Sequence, residues 1–335
     1  MNTAILKVDK KTHSHSAKKA GLIPALVLPI LFFALALALP EVSRDSVAAS
    51  LRLCACSLIP SLFPFTVAGE MLIALYASGE NRKRNVSLFE TIFGISGNGA
   101  IVFLLGAVCG LPLGGRYAVS LYEKGTITRE DCESLIGIST NAGVGFTVVG
   151  IGVSLFGSAR FGWLLYFTQI FSAITAGRLL KRERSVDSIA PVNRQTDELS
   201  FSRILTDSIV SSAFSMLKIC GFVVFFGVVT DFIKLFASLM GLPATLTALM
   251  CAMTEITSAC SFSSGMLRFI SPVTAQSAHI ITFFAVGYAG LCAHMQVASF
   301  ASRAGISMRR YHLTKLLTGL ISAVTGSLIL HFIPI

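Results

Sequence analysis

Charged residues are scarce in this chain: Asp, Glu, Lys and Arg make up only 13% of its 335 residues. Soluble proteins carry about a quarter, and no stretch here is long and polar enough to form a separate soluble domain. The mean hydropathy of +0.75 indicates that most of the chain lies in a bilayer. We therefore expect a polytopic membrane protein and look for its function inside the membrane.

Several sequence motifs that indicate metal binding, hydrolysis or ATP binding are absent as well. The eight cysteines form no CxxC pair and no Cys/His spacing suited to zinc, and the chain has neither HExxH nor GxxxxGK[ST]. We expect no metal, no cofactor and no ATP-driven pump. A GxSG shape at Gly94–Gly97 with His294 resembles intramembrane serine proteases, but four residues in a glycine-rich chain are weak support. We expect a protein that is not an enzyme.

The net charge of +10 is interpreted as that of a membrane protein. In a membrane protein excess Lys and Arg mark cytoplasmic loops, so no nucleic-acid partner is expected. Residues 1–20 form a basic cytoplasmic tail, and residues 21–44 contain a first span without a small-residue cleavage pattern. A turn is expected at residues 40–45, and a helix break at Pro60–Pro64.

The apolar run that begins at Ile92 is interrupted at residues 106–116 by four glycines, a proline and an arginine. Unpaired backbone groups are tolerated at membrane depth only where protein or a water-filled cavity covers them. Broken helices in transporters therefore often lie at binding sites. We expect this hairpin to form part of one.

The second half of the chain repeats the first. We expect residues 45–180 to form a first repeat, residues 181–200 a cytoplasmic linker and residues 201–335 a second repeat. Within it, an amphipathic segment at 201–218 precedes a span at 221–239, and Thr254–Ser261 interrupts an apolar run as the counterpart of residues 106–116.

Topology follows from the basic residues. If both interrupted segments are re-entrant, each repeat has three spans, and an odd number forces the repeats into opposite orientations. The loops then expected in the cytoplasm, including residues 303–315, hold 20 of the 27 Lys and Arg residues. We predict an all-α polytopic membrane protein with an inverted repeat, about seven spans and two re-entrant or broken helical hairpins.

Glu255 is the sharpest candidate for a binding residue. A charged side chain near mid-membrane costs about 2.5 to 3.5 kcal/mol on insertion scales, so it usually has a partner or a task. Its neighbours Thr254, Thr257 and Ser258 supply hydroxyls for a polar solute or a coupling ion. The alternative is that Glu255 accepts hydrogen bonds only from backbone donors of its own hairpin.

The first half offers four more candidates. Asn98, Thr140 and Asn141 are expected near the tip of the first hairpin, where free N–H groups at a helix start bind a carboxylate; an ordinary N-cap is the alternative. Arg116 either pairs with a carboxylate substrate or extends to the interface. Glu70 and Lys218 are assigned structural roles near interfaces, and Asp231 with Lys234 is expected to form an ion pair.

Three stretches together resemble a known family: Pro60-Ser-Leu-Phe-Pro-Phe65, Gly110-Leu-Pro-Leu-Gly-Gly-Arg-Tyr117 followed by the polar strip to Glu133, and Ser139-Thr-Asn-Ala-Gly143. They are similar to YlbJ-type sporulation integral membrane proteins, a group within those that carry a nucleoside-recognition (Gate) domain. The resemblance covers most of the chain from about residue 45.

The resemblance implies a carrier of dipicolinic acid in the outer forespore membrane. A nucleoside or another small anion is an alternative solute, and a non-transporting scaffold in spore formation is an alternative role. The expected partners are a small-molecule substrate and the lipid bilayer, and a homo-oligomer is compatible with the sequence. A small aromatic dicarboxylate suits helix N-termini, hydroxyls and Arg116 better than it suits Glu255.

Overall fold

The structure is a computed structural model, and it describes residues 26–78, 88–93, 95, 97–181, 200–267 and 272–332. Within these ranges every regular element is a helix and none is a strand. The predicted all-helical class is therefore confirmed. The basic tail, Ser96 of the GxSG shape and nearly all of the predicted linker lie outside the described residues.

The described chain begins with two helices that meet at a sharp bend. Helix α1 spans Leu26–Ala38, helix α2 spans Pro40–Leu53, and the chain bends by 101° between them. The turn predicted at residues 40–45 is wrong, because Pro40 occupies the start of α2, where its missing N–H costs no helical hydrogen bond.

The break predicted at Pro60–Pro64 is also wrong. A π-helical turn at Cys54–Leu58 leads directly into α3, Ile59–Ser78, and Pro64 lies inside that helix. A wider turn just before a proline is one way in which a helix accommodates the missing donor. The irregularity thus precedes the prolines instead of coinciding with them.

The rest of the first half contains a hairpin and an interrupted helix. The elements in order are α4 (Leu88–Phe93), a 3₁₀ turn (Gly97–Gly99), α5 (Ala100–Cys109), α6 (Leu113–Glu123), α7 (Arg129–Ser139), a π-helix (Gly145–Val153) and α8 (Ala159–Leu179). Helices α5 and α6 pack against each other, and a Cβ on Gly106 would lie 3.0 Å from the Cα of Gly114. The chain therefore folds back at the predicted break.

The second half follows the same order. It contains α9 (Phe201–Leu239), α10 (Ala244–Thr254), α11 (Ile256–Met266), α12 (Pro272–Tyr288), α13 (Gly290–Ala301) and α14 (Arg309–Phe332). The two segments predicted at 201–218 and 221–239 are one helix of 39 residues, about 58 Å long at 1.5 Å per residue. Helices α10 and α11 pack against each other, as α5 and α6 do.

The closing helix of each half packs on one part of an interrupted helix, the part after the break in the first half and the part before it in the second. The π-helix packs on α8 in the first half, α12 packs on α14 in the second, and α8 packs on α14 to join them. Each half thus has a hairpin, an interrupted helix and a long closing helix. Recurrence of these elements agrees with a duplication; the opposite orientation of the two copies stays a prediction.

Some of the described helices have the length and apolar composition needed to cross a bilayer. Among the described residues, three helical stretches are long and apolar enough to cross a bilayer: Phe201–Leu239, Ala275–Ala301 and Arg309–Phe332. The bent pair Leu26–Ala38 and Pro40–Cys56 makes a fourth if it is one span. A helical membrane protein is confirmed, while the number of seven spans stays a prediction.

Candidate solute-binding site

The first helix break is a tight turn between α5 and α6. Gly110 has a φ of +86°, a conformation that favours glycine. A Cβ at this position would also lie only 2.6 Å from the backbone nitrogen of Gly143. The break between α5 and α6 therefore touches the break between α7 and the π-helix, as the sequence predicted for the Ser139–Gly143 stretch.

The second helix break is held by a side chain. Helix α10 ends at Thr254, Glu255 is extended, and α11 begins at Ile256. The two carboxylate oxygens of Glu255 accept hydrogen bonds from the backbone N–H groups of Thr257 and Ser258, at 2.8 and 2.6 Å. Glu255 thus caps α11, the alternative that the sequence left open, and its charge also complements the helix dipole.

Besides these two hairpin breaks and the break between α7 and the π-helix, a fourth helix break lies between α12 and α13. It contacts the break at Glu255. Ala289 and Gly290 have φ values of 76° and 72°. A Cβ on Gly290 would lie 3.0 Å from the carbonyl oxygen of Thr254. In both halves, therefore, the turn of a hairpin packs against the break of an interrupted helix.

All four breaks line one small central cavity. Its lining includes Gly110 and Leu111 from the first break, Ala142 and Gly143 from the interrupted helix, Glu255 to Thr257 from the second hairpin, and Ala289 from the last break. The volume is about 70 Å³, which is enough for a few water molecules and too small for a ring compound. Both predicted hairpins therefore reach the same central cavity.

A larger, charged cavity adjoins the central one. Its volume is about 580 Å³, within the range of small-molecule sites. Pro112 and Leu113, on the α6 side of the first break, line it, and Ile219 and Gln296 line both cavities. These shared residues and the Gly110–Leu113 turn form the partition between the two spaces.

Arg116 connects three helices at the wall of the charged cavity. Its Nε lies 3.0 Å from Oε1 of Glu70 on α3. Its guanidinium also donates hydrogen bonds to the hydroxyl and the carbonyl oxygen of Ser211 on α9. The Arg116 side chain is 25% exposed and that of Glu70 14%, so the ion pair is partly screened but faces the cavity.

The charged cavity carries more positive than negative side chains. It is lined by the cations Arg116, Lys124, Lys218 and Arg303 and by the carboxylates Glu70 and Glu123. Lys218 and Arg303 form no ion pair with any described residue. Phe214, Phe222 and Phe300 complete the apolar part of the wall. Free cations beside aromatic rings suit an anionic, ring-containing solute.

The predicted binding residues lie in different places relative to the two cavities. Arg116 lines the charged cavity, whereas Glu255 and Thr257 line the central cavity. Thr254 and Ser258 flank Glu255 without lining either cavity. Thr140 and Asn141 are wholly buried next to the cavity-lining Ala142. Asn98 lies apart from both cavities, where it accepts from the Tyr76 hydroxyl at 3.0 Å and donates to the Thr126 carbonyl oxygen. Solute binding by these residues stays a prediction.

Other lining residues did not stand out in the sequence. Glu70 and Lys218 were assigned structural roles near interfaces, yet both line the charged cavity. Arg303 was counted only as a loop cation, and Gln296 lies in an ordinary apolar helix. Helices α3 and α13 each pack on both α6 and α9, and this packing brings them together. The pair predicted for Asp231 and Lys234 is confirmed at 3.0 Å.

The described residues give no support to the serine-protease hypothesis. His294 Nδ1 lies 2.9 Å from the hydroxyl of Tyr311, and Ser96 is outside the described chain. No group of three or more His, Cys, Asp or Glu side chains within the described ranges is arranged to hold a metal ion.

The fold and the cavities together define a helical membrane protein whose interrupted helices converge in its interior. Comparison with curated proteins finds the sporulation integral membrane protein YlbJ of Bacillus subtilis, 26% identical over 301 residues, which cover 79% of this chain and 72% of that protein. The match confirms the predicted resemblance to the YlbJ-type proteins. No family model and no solved structure matches the chain.

Proposed function

We propose that this protein is a membrane transporter of a small anionic solute, most specifically dipicolinic acid during sporulation, acting in the outer forespore membrane. The observation that carries the proposal is the charged cavity of about 580 Å³ beside the first helix break. The sporulation context and the membrane in question rest on the resemblance to YlbJ.

The lining suits an aromatic dicarboxylate in two ways. Two carboxylates are met by Arg116 together with the unpaired cations Lys218 and Arg303, and an aromatic ring is met by the phenylalanines of the wall. Charge-assisted hydrogen bonds contribute about 1.5 to 3 kcal/mol each. A neutral nucleoside makes no comparable use of these cations.

The partition between the cavities provides a physical basis for alternating access. Ile219 and Gln296 contact both spaces, and the first break lies between them. A solute carboxylate competes with Glu70 for Arg116, so its binding weakens the contact of α6 with α3. Release of that contact allows the hairpin turn to move and joins the charged cavity to the central one.

The test is uptake of labelled dipicolinate into proteoliposomes. We expect saturable uptake by the wild type and an initial rate at least about tenfold lower in the double variant Lys218→Gln/Arg303→Gln, because the loss of even one charge-assisted bond is worth roughly that factor. The control is Lys234→Gln on the same helix as Lys218, whose lysine pairs with Asp231 and does not line the cavity.

The remaining outcomes distinguish the alternatives. Unimpaired uptake by the double variant contradicts the cavity as the anion site. Uptake of uridine but not of dipicolinate by the wild type favours the nucleoside carrier that the Gate resemblance implies. If a folded wild type neither transports nor binds any of these solutes, the scaffold role becomes the better explanation.

A further inference from the structure

Lys315 is a fully buried lysine in the middle of the helical core. The sequence grouped it with the basic loop at 303–315, but it lies on α14 and its exposed fraction is 0%. Its Nζ donates a hydrogen bond to the carbonyl oxygen of Thr140, 2.8 Å away, at the break that follows α7. A closing helix of the second half thus contacts a helix break of the first.

No described carboxylate balances this side chain. Helix α14 packs on α7, α8 and α12, and of these only α7 carries acidic residues, Glu130, Asp131 and Glu133. They lie in its first two turns, about 10 to 15 Å along the helix from Thr140 at 1.5 Å per residue. A charged ammonium buried without a partner is costly in a membrane, so the uncharged amine is the form that fits this closed arrangement.

The titratable groups around Lys315 are His294, Tyr311, Tyr288 and His312. Lys315 interacts electrostatically with His294. Nδ1 of His294 lies 2.9 Å from the hydroxyl of Tyr311, and the rings of Tyr288 and His312 contact the imidazole with centroids 4.6 and 5.3 Å away. The other imidazole nitrogen is buried and has no partner in the described chain.

The surroundings restrict what this site can bind. Lys315 has an exposed fraction of 0% and lines neither of the two cavities, so no water-sized space adjoins its side chain. The residues next to its contacts do reach the central cavity, Ala142 beyond Thr140 and Ala293 before His294. The amide oxygen of Asn141 is also buried without a partner in the described residues. The ligand that needs no volume and uses such groups is a proton.

We propose that Lys315 is the proton-binding residue that couples solute movement to a proton gradient. This inference rests on the proposed transport function. The amine lone pair accepts a proton from a hydronium ion that reaches it when the breaks separate, which leaves water and an ammonium; return of the proton to water reverses the step. A solute anion held near the breaks stabilises the ammonium, so binding of anion and proton reinforce each other.

Two measurements on purified protein test the inference. The first is proton uptake on addition of dipicolinate in weakly buffered solution with a pH indicator, where we expect about one proton per bound solute. The second is accumulation driven by a pH gradient in proteoliposomes, compared with solute exchange at equal pH on both sides. The variants are Lys315→Met and Lys315→Gln, of which the second retains a donor for Thr140, and the control is Lys234→Gln.

We expect both Lys315 variants to lose the proton uptake and at least about tenfold of the gradient-driven accumulation, within the usual range of coupling free energies, while exchange continues. Unchanged proton uptake and accumulation in either folded variant overturns the assignment of Lys315. A wild type that neither binds nor exchanges dipicolinate overturns the proposed function itself, and that result is distinguished by the exchange assay alone.

Discussion

The two hairpin turns differ in how they interrupt a helix. At Gly110 the chain turns through a positive φ, and its backbone contacts that of Gly143 with no side chain between them. At Glu255 the chain is extended, and a carboxylate satisfies two N–H groups of the following helix. One break depends on the absence of a side chain and the other on the presence of one.

This difference extends to the cavities. The first break has the charged cavity on one side and the central cavity on the other, with the cations on the charged side. The second break contributes Glu255 to the central cavity alone. A negative residue that is already engaged by backbone donors is a poor contact for an anion. The first break is therefore our proposed anion site, while Glu255 caps a helix at the second.

The largest effect is expected at the backbone contact of the first break. Gly110→Ala places a Cβ 2.6 Å from the nitrogen of Gly143 and adds the cost of a positive φ, so we expect a loss of about 2 to 5 kcal/mol of stability. Thermal unfolding in detergent measures it. Gly145→Ala is the control, because a Cβ there meets nothing within 4 Å. Equal melting temperatures for the two variants would refute the contact.

A smaller loss is expected at the second break. Glu255→Ala removes the acceptor for the N–H groups of Thr257 and Ser258, which we expect to cost about 2 to 3 kcal/mol, while Glu255→Gln keeps one acceptor and loses roughly half as much. The same unfolding assay ranks the two variants. If both unfold like the wild type, the cap contributes nothing and the second break must be stabilised differently.

The smallest effect concerns the ion pair between Glu70 and Arg116. Glu70→Gln removes a competitor for the guanidinium and one negative charge from the cavity, so we expect dipicolinate to bind about 1.5 to 5 times more tightly, in the range of a partly exposed charge interaction. Equilibrium binding measures the shift. Weaker binding in a folded Glu70→Gln protein would show that Glu70 orients Arg116 instead of competing for it.

The two hairpin breaks were predictable because their signals are local. Gly110, Pro112 and Glu255 are residues that stand out within apolar runs. Gly110 and Glu255 follow the last residue of a helix, and Pro112 precedes the first residue of α6. The sequence does not predict the break at Ala289, since an alanine with a positive φ leaves no local signal. Pro60 and Pro64 are a misleading signal, because both lie within α3, which continues directly from the π-helical turn that precedes them.

The composition of the site was less predictable than its position. Arg116 was recognised because it follows the break directly, but Lys218 and Arg303 join it only through the packing of separate helices. Lys315 was counted with neighbouring loop cations, since only the position of α14 against α7 shows that it is buried. Such long-range contacts have no local pattern in one sequence.

The central claim is that a solute anion binds at the first break and not at the second. Isothermal titration of dipicolinate into purified protein tests it most directly, with wild type, Arg116→Gln and Glu255→Gln compared under one salt concentration. We expect the dissociation constant to rise by about tenfold or more for Arg116→Gln, as one lost charge-assisted pair predicts, and to change little for Glu255→Gln. The reverse order, with binding lost in Glu255→Gln and kept in Arg116→Gln, would contradict the account.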